Sequence, residues 1–376
     1  MTWPVLHDEL SVARVDGQLV IVDRRTGQLS VADPIAALVI ESRDLFRDLG
    51  DAATALHDAL GGTEQTIRRQ LLTVAETVES RRPAPSSPVG VPQRTSAERP
   101  AGEPAFVTHV DCLGVGMEVR CYTPQLAEVV PGLLEAHARS TARDHVFELW
   151  DVGTSLRLAV DGRLVADHTE VGRITSELLA QMMVIVHDEP SPNLRIHAGC
   201  VARDGHGVAL GGAPRQGKSS TVLELARLGC AYLTDELVEL DAASGVLRGL
   251  PRPIGLDGEI RLQYPELKPS WWDDDWWDPR WPVPPALVGM VAHHAKLSGL
   301  VVLEYGHGAA TQITELQPVD ALARLCPLVY NPAALTSSVL VALGEQLDAV
   351  PAAVVRHGGG RAAAVALLES GMLGWT

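Results

Sequence analysis

Apolar and polar positions alternate with a period of two over residues 11–15 and again over 18–23, and Asp16-Gly17 separates the two runs. Asp-Gly between alternating segments predicts a tight hairpin, because both turn residues must adopt positive φ. Thr26-Gly27 then turns the chain into a third strand over 28–32. The period lengthens after that. Pro34 suits the first turn of a helix over 34–42, and a second helix over 52–60 stops at Gly61-Gly62. Thr63 caps a third, on which Ile67, Leu71, Val74 and Val78 recur at helical spacing. Three strands followed by three helices predict a small α+β unit over residues 1–80.

Periodicity vanishes over residues 81–104, where proline, serine, glycine and charge dominate, as in a flexible linker. Beyond it, strand-like alternation returns over 106–110, 116–121, 145–150 and 155–160, and Asp161-Gly162 leads into 163–165. A long helix follows over 171–187, with Leu178, Leu179, Met182, Met183 and Val186 on its apolar face. Residues 105–190 carry no catalytic motif and read as α+β scaffold, leaving the chemistry to 191–376.

Composition narrows the classes. Apolar residues form 46% of the 376, enough for real cores. The formal net charge of −16 argues against nucleic acid and anionic membrane as partners, since both need a basic face. Cys112, Cys121, Cys200, Cys230 and Cys326 form no CxxC pair and no zinc spacing, which suits buried reduced thiols in the cytoplasm. The first residues, MTWPVLHDEL, lack the basic start and apolar run of a secretory signal.

The chemistry concentrates in three segments. Gly212-Ala213-Pro214-Arg215-Gln216-Gly217-Lys218-Ser219 matches G-x-x-x-x-G-K-[ST] without a gap, with Ser220 following. An apolar strand over 207–210 enters it, a helix over 218–228 leaves it, and Gly229 takes the C-cap position. Glycines let main-chain N–H groups converge on a phosphate, and the helix N-terminus adds partial positive charge. Lys218 is placed to reach the β- and γ-phosphates of ATP, and Ser219 to ligate magnesium. Arg215 and Gln216 are expected to face solvent. Next, Asp235-Glu236 ends a strand begun by Tyr232 and Leu233, and Leu237, Val238 and Leu240 continue it. Two acids beside a phosphate loop can divide magnesium binding and proton acceptance. Before the loop stands Leu194-Arg195-Ile196-His197-Ala198-Gly199, on a strand expected to hairpin through Asp204-Gly205 onto the strand entering the loop. By itself His197 reads as a hydrogen-bonded structural histidine.

His197-Ala198-Gly199, the loop, and Asp235-Glu236, in that order and spacing, resemble the HPr kinase family and its smaller relatives. The resemblance extends to Pro251-Arg252-Pro253-Ile254 and, faintly, over 300–325. It implies an α/β P-loop kinase core of the HPr kinase/PEP carboxykinase type. It also implies that Asp235 is the base receiving the acceptor proton, that Glu236 helps hold magnesium, and that His197 lies near the transferring phosphate. The order of elements in 1–80, with the phrase DGQLVIVDRRTGQLSVADPIAALV, resembles the winged-helix-like PqqD domain that recognises leader peptides in pathways to ribosomally made, modified peptides. That resemblance implies that a leader adds as a strand beside 28–32 and packs on the helix carrying Ile67 and Leu71.

Two further features bear on the site. Arg252 sits between prolines and reads either as a stabiliser of γ-phosphate charge or as a surface arginine. Five of the eight tryptophans, Trp271, Trp272, Trp276, Trp277 and Trp281, crowd into 270–282, a segment too apolar for an ordinary solvated loop. Self-packing as a lid, a homo-oligomer contact and peptide contact compete there, and Asp273, Asp274 and Asp275 could attract a basic peptide. The modules together predict an ATP- and Mg2+-dependent kinase acting on a Ser/Thr hydroxyl of a precursor peptide held by its leader. A small-molecule kinase and a nucleotide-dependent regulator without phosphoryl transfer stand as alternatives.

Overall fold

The computed structural model of the chain describes residues 9–32, 37, 40, 100, 102–256, 258–273 and 280–373. Of the helix expected over 34–42 only Ala37 and Ile40 are described, both helical; the helices expected over 52–60 and after Thr63, most of the 81–104 linker, and Trp276 and Trp277 lie outside those residues.

The opening strands β1 (Leu10–Val15), β2 (Gln18–Asp23) and β3 (Gln28–Val31) form an antiparallel sheet in that order. Asp16 at φ 48° and Gly17 at φ 70° supply the expected left-handed turn. Among the described residues, the core of this sheet is shared with the C-terminal half. Ala13, Val15, Val20 and Val22 bury themselves in the same cluster as Leu322, Leu340 and Leu343 of the C-terminal half.

A six-stranded sheet follows, built from β4 (Phe106–Cys112), β5 (Val115–Cys121), β6 (Ala138–Arg139), β7 (His145–Val152), β8 (Ser155–Val160) and β9 (Arg163–His168), ordered β6-β4-β5-β7-β8-β9. Helices α1 (Pro124–Leu134) and α2 (Val171–Asp188) share its core. Helix α1 was not apparent from periodicity, because Pro131 and Gly132 stand inside it. Thr123 caps it, accepting from Leu126 N at 3.4 Å, and Leu126, Val129, Val130, Leu133 and Leu134 are buried. Gly132 leaves the space that the Trp271 indole occupies.

The third, nine-stranded sheet holds the phosphate loop. It comprises β10 (Leu194–His197), β11 (Gly199–Arg203), β12 (His206–Gly211), β13 (Ala231–Thr234), β14 (Leu237–Asp241), β15 (Val246–Gly249), β18 (His294–Tyr305), β19 (Gln312–Glu315) and β20 (Ala352–His357). Its path runs β10-β14-β15-β18-β12-β11-β13, and β20 pairs the far end of β18 and carries β19. A small ribbon of β16 (Ile254–Leu256) and β17 (Trp281–Val283) lies apart. The helices here are α3 (Lys218–Arg227), α4 (Gly258–Leu262), α5 (Pro318–Leu325), α6 (Ser337–Ala349) and α7 (Gly360–Glu369). No helix among the described residues is long and apolar enough to cross a membrane. The five cysteines are free and buried.

Trp272 and Trp281 are buried in the core shared by α3 and β16–β17, and Trp271 packs between that core and α1. For the described half of the tryptophan segment, packing within the chain is therefore the outcome.

Candidate active site

Two antiparallel ribbons, 194–203 and 231–241, break at the same level. β10 pairs β14 with His197 opposite Leu237, and β11 pairs β13 with Cys200 opposite Thr234, so Gly199 faces Asp235 and Ala198 faces Glu236. Ala198 N–H donates to Ile196 O (2.9 Å) and Glu236 O (3.2 Å), which bends the first ribbon. Thr234 bends the second: its Oγ1 accepts from the N–H of Glu236 (3.2 Å) and of Leu237 (3.3 Å), a local turn that competes with the ladder. A side chain at Gly199 would run into Val222 of α3, so this position seats the helix that begins at Lys218 against the acidic pair.

The loop between β12 and α3 takes left-handed conformations at Arg215 (φ 65°) and Gly217 (φ 82°), and Gly212 sits at φ 147°. No side chain caps α3; Gly217 is its N-cap, so the first N–H groups of the helix remain for an anion. Lys218 Nζ is buried and donates to Gly212 O (2.7 Å) and Ala213 O (3.2 Å), lying across the loop. Burial depresses its pKa, and the negative charges of Glu236 and Asp235 oppose that shift. Ala213, Pro214 and Arg215 are exposed. Gln216, expected to face solvent, is instead half-buried, and its Oε1 accepts from Tyr305 N–H at 2.6 Å. The correction follows from β18, which runs beside β12 and brings that N–H to the loop.

Asp235 is buried, and Ser219 of the loop lies near enough to favour its ionised form. Burial pushes its pKa up; Arg252 pulls it down, Glu236 pushes it further up, and Ser219 and Tyr232 hold it down. Tyr232, fully buried, has its hydroxyl 3.2 Å from Asp235 Oδ1 and 2.8 Å from Arg252 O. Glu236 touches three groups: His197 Nε2 (3.5 Å), Arg252 Nη1 (4.0 Å) and the Tyr330 hydroxyl, which donates to it at 3.3 Å. His197 also packs its ring on Tyr330 with centroids 5.4 Å apart. Burial and the nearby Lys218 charge lower the His197 pKa, so its ring is neutral near pH 7. Lys218, Ser219, Asp235, Glu236, His197 and Arg252, named from sequence, thus meet in one place.

Three members were not anticipated. Tyr232 and Tyr330 position the acids, and no local pattern marks them. His357, at the end of β20, is fully buried with Nε2 3.1 Å from Gln216 O. A Cβ on Gly217 would lie 2.7 Å from its Cε1. The only trace of this contact in the sequence is the run Gly358-Gly359-Gly360 that follows, where a Cβ on Gly360 would lie 2.6 Å from the Ser220 backbone.

A magnesium nucleotide suits this donor set: an uncapped helix N-terminus, a buried lysine, a serine near the Asp235 carboxylate, and an Arg252 Nε that is buried without a partner. Among the described residues no group of three or more His, Cys, Asp or Glu side chains could hold a metal alone. Ser219 and Glu236 would therefore share a cation with the oxygens of its nucleotide.

No family model matches the chain. It is 32% identical over 76 residues to the HPr kinase/phosphorylase of Clostridium botulinum (strain Eklund 17B / Type B), covering 20% of this chain and 25% of that protein. It is 35% identical over 95 residues to the HPr kinase/phosphorylase of Treponema pallidum (strain Nichols), covering 24% of this chain and 30% of that protein. The homology is partial. The matched stretch spans less than a third of the length of these relatives, and over it the chain is related to a kinase.

Proposed function

We propose that the chain is an ATP- and Mg2+-dependent kinase that phosphorylates a Ser or Thr hydroxyl of a ribosomally made precursor peptide. The observation that carries this reading is Asp235: a buried carboxylate with a raised pKa, beside the phosphate-loop Ser219 and the charge of Arg252. Magnesium ATP, when bound, supplies the electrophilic γ-phosphorus and the leaving group. The loop N–H groups and Lys218 hold the phosphates, and Ser219 with Glu236 orients the cation. Asp235 takes the proton from the acceptor oxygen. Its raised pKa strengthens it as a base. Arg252 would offset charge on the transferred group, and neutral His197, beside Glu236, would add no competing positive charge.

The path β13-β11-β12-β18-β20 offers a separate side to each substrate. Asp235 follows β13, so the acceptor enters on that side. The nucleoside lies across the loop, over the C-terminal ends of β18 and β20, where Gly308, Ala309, Gly358 and Arg361 line an open cleft of ≈ 780 Å³. The leader would add to the outer edge of β3, which ends the first sheet and exposes Gln28 and Val31. Five free thiols fit a cytoplasmic setting.

One observation favours a second reading. The first sheet completes the core formed by α5 and α6, so it could serve structure while the acceptor is a small molecule. Mass spectrometry of candidate precursor peptides treated with ATP, using wild type and Asp235→Asn in parallel, tests the proposal. A one-phosphate gain with wild type alone supports it; no gain on any peptide, with transfer to a small alcohol, replaces it.

A further inference from the structure

We propose that the Tyr330 ring is a subsite for the acceptor peptide: it takes an aromatic side chain that flanks the phosphorylated hydroxyl. The inference rests on the kinase reading for the hydroxyl and on residues 326–331 for the contact.

Tyr330 is held in place by main-chain bonds on both sides. Val329 forms a β-bridge with Ile196 on the outer edge of β10, and Tyr330 N–H donates to Arg195 O at 2.7 Å. The Asn331 side chain locks the same edge, accepting from Arg195 N–H (2.8 Å) and donating to Asn193 O (2.9 Å). The ring itself is braced by two others. His187 meets it edge-on with centroids 4.2 Å apart, and His197 lies 5.4 Å away, tilted by 30°. The Tyr330 hydroxyl is committed to Glu236 at 3.3 Å. Even so, 39% of the residue stays exposed, beside the acidic pair. A ring ordered in advance offers apolar contact without the entropy of fixing it on binding. Three rings in one patch favour a fourth, since aromatic pairs attract beyond the area they bury. A cationic flank is disfavoured, because Arg252 already stands 4.0 Å from the same Glu236.

The course of the segment points to a peptide as the occupant. Its first residues, 326–328, touch β3, the strand whose outer edge would receive the leader, and Gly27 abuts the Cys326 carbonyl. Its other end reaches Glu236 through Tyr330. From Cys326 to Tyr330 an extended chain spans at most about 14 Å. A peptide paired at β3 would therefore pass Tyr330 on its way to Asp235.

The test is calorimetric binding of synthetic serine-centred peptides with a non-hydrolysable ATP analogue present. Phe, Leu, Lys or Ala stands at each flanking position in turn. At one or more positions the Phe peptide should bind about tenfold tighter than the Ala peptide and tighter than the Leu peptide, with no gain for Lys. Tyr330→Phe keeps the ring and should retain the preference. Tyr330→Ala and Tyr330→Leu should each abolish it, with Tm confirming that the variants fold. Equal binding of Phe and Ala peptides throughout, no measurable binding of either, or a preference that survives Tyr330→Leu overturns the assignment. N-acetyl-phenylalanine amide binding as tightly as the best peptide also overturns it, because the contact would then owe nothing to a neighbouring hydroxyl. Transfer is scored separately: an aromatic preference without phosphorylation removes the kinase reading alone, and phosphorylation without the preference removes this one alone.

Discussion

Asp235 concentrates the conflict between stability and chemistry in one side chain. Burial raises its pKa from the ordinary 3.8, so folding favours the protonated form. Above 3.8 the unfolded chain ionises while the folded one resists, and stability falls as pH rises through the folded pKa. Asp235→Asn removes that cost. The variant should melt higher than wild type at neutral pH, with the difference closing below about pH 4 in scanning calorimetry. Its phosphoryl transfer should drop by about 10²-fold or more, and wild-type turnover should fall toward acid as the carboxylate takes up its proton. Gly199 tests the other half of the site. Gly199→Ala drives a methyl into Val222 and should cost about 1–3 kcal/mol in chemical denaturation, displacing α3 from the acidic pair. The reactive side chains were readable from sequence because each belongs to a spaced motif. Tyr232 and Tyr330 were not: a tyrosine hydroxyl gains its role only from the acid opposite, which the chain brings from Asp235 and Glu236 through the fold.

Among the elements, the strand–loop–helix unit around Lys218 and the hairpins at Asp16-Gly17 and Asp204-Gly205 follow from local chemistry, since turn residues and periodicity act over a few positions. Helix α1 has no clear local signature, because Pro131 and Gly132 count as breakers. Packing of five buried side chains outweighs them. The strand β20 and helix α7 matter more than their alanine-rich sequence suggests. His357 backs Gly217, and Gly360 admits the Ser220 backbone. His357→Ala should leave the fold intact but loosen the loop, raising the KM for ATP about tenfold with a smaller change in kcat. Ala309→Trp, at the nucleoside cleft, should weaken ATP while leaving inorganic tripolyphosphate binding unchanged; equal loss of both would move the nucleoside elsewhere.

At the scale of the molecule, the front sheet is an integral layer. Val12 N donates to Ser337 Oγ (3.1 Å), Arg24 Nε to Ala333 O (3.2 Å), and Val15 packs into the space Gly344 leaves open. Deleting residues 1–80 should lower Tm and raise binding of a hydrophobic dye, as the Leu340 and Leu343 face of α6 becomes exposed. Lost turnover in such a deletion therefore does not by itself show leader recognition. A point change on the β3 edge, Val31→Pro, separates the roles. Val31 is exposed, so the substitution should weaken peptide binding without the Tm loss of the deletion.

Read alone, the chain determined the elements and the inventory of reactive groups: where glycines permit an anion loop, which lysine opens the helix, and which acids follow. Those properties depend on neighbours in sequence, and neighbours are visible there. Tertiary structure alone decided that two ribbons bend at one level, that β20 braces the loop from behind, and that the first sheet joins the last helices in one core. Contacts between residues distant in sequence leave no periodic trace, because the packing energy that selects them exists only once the chain has closed.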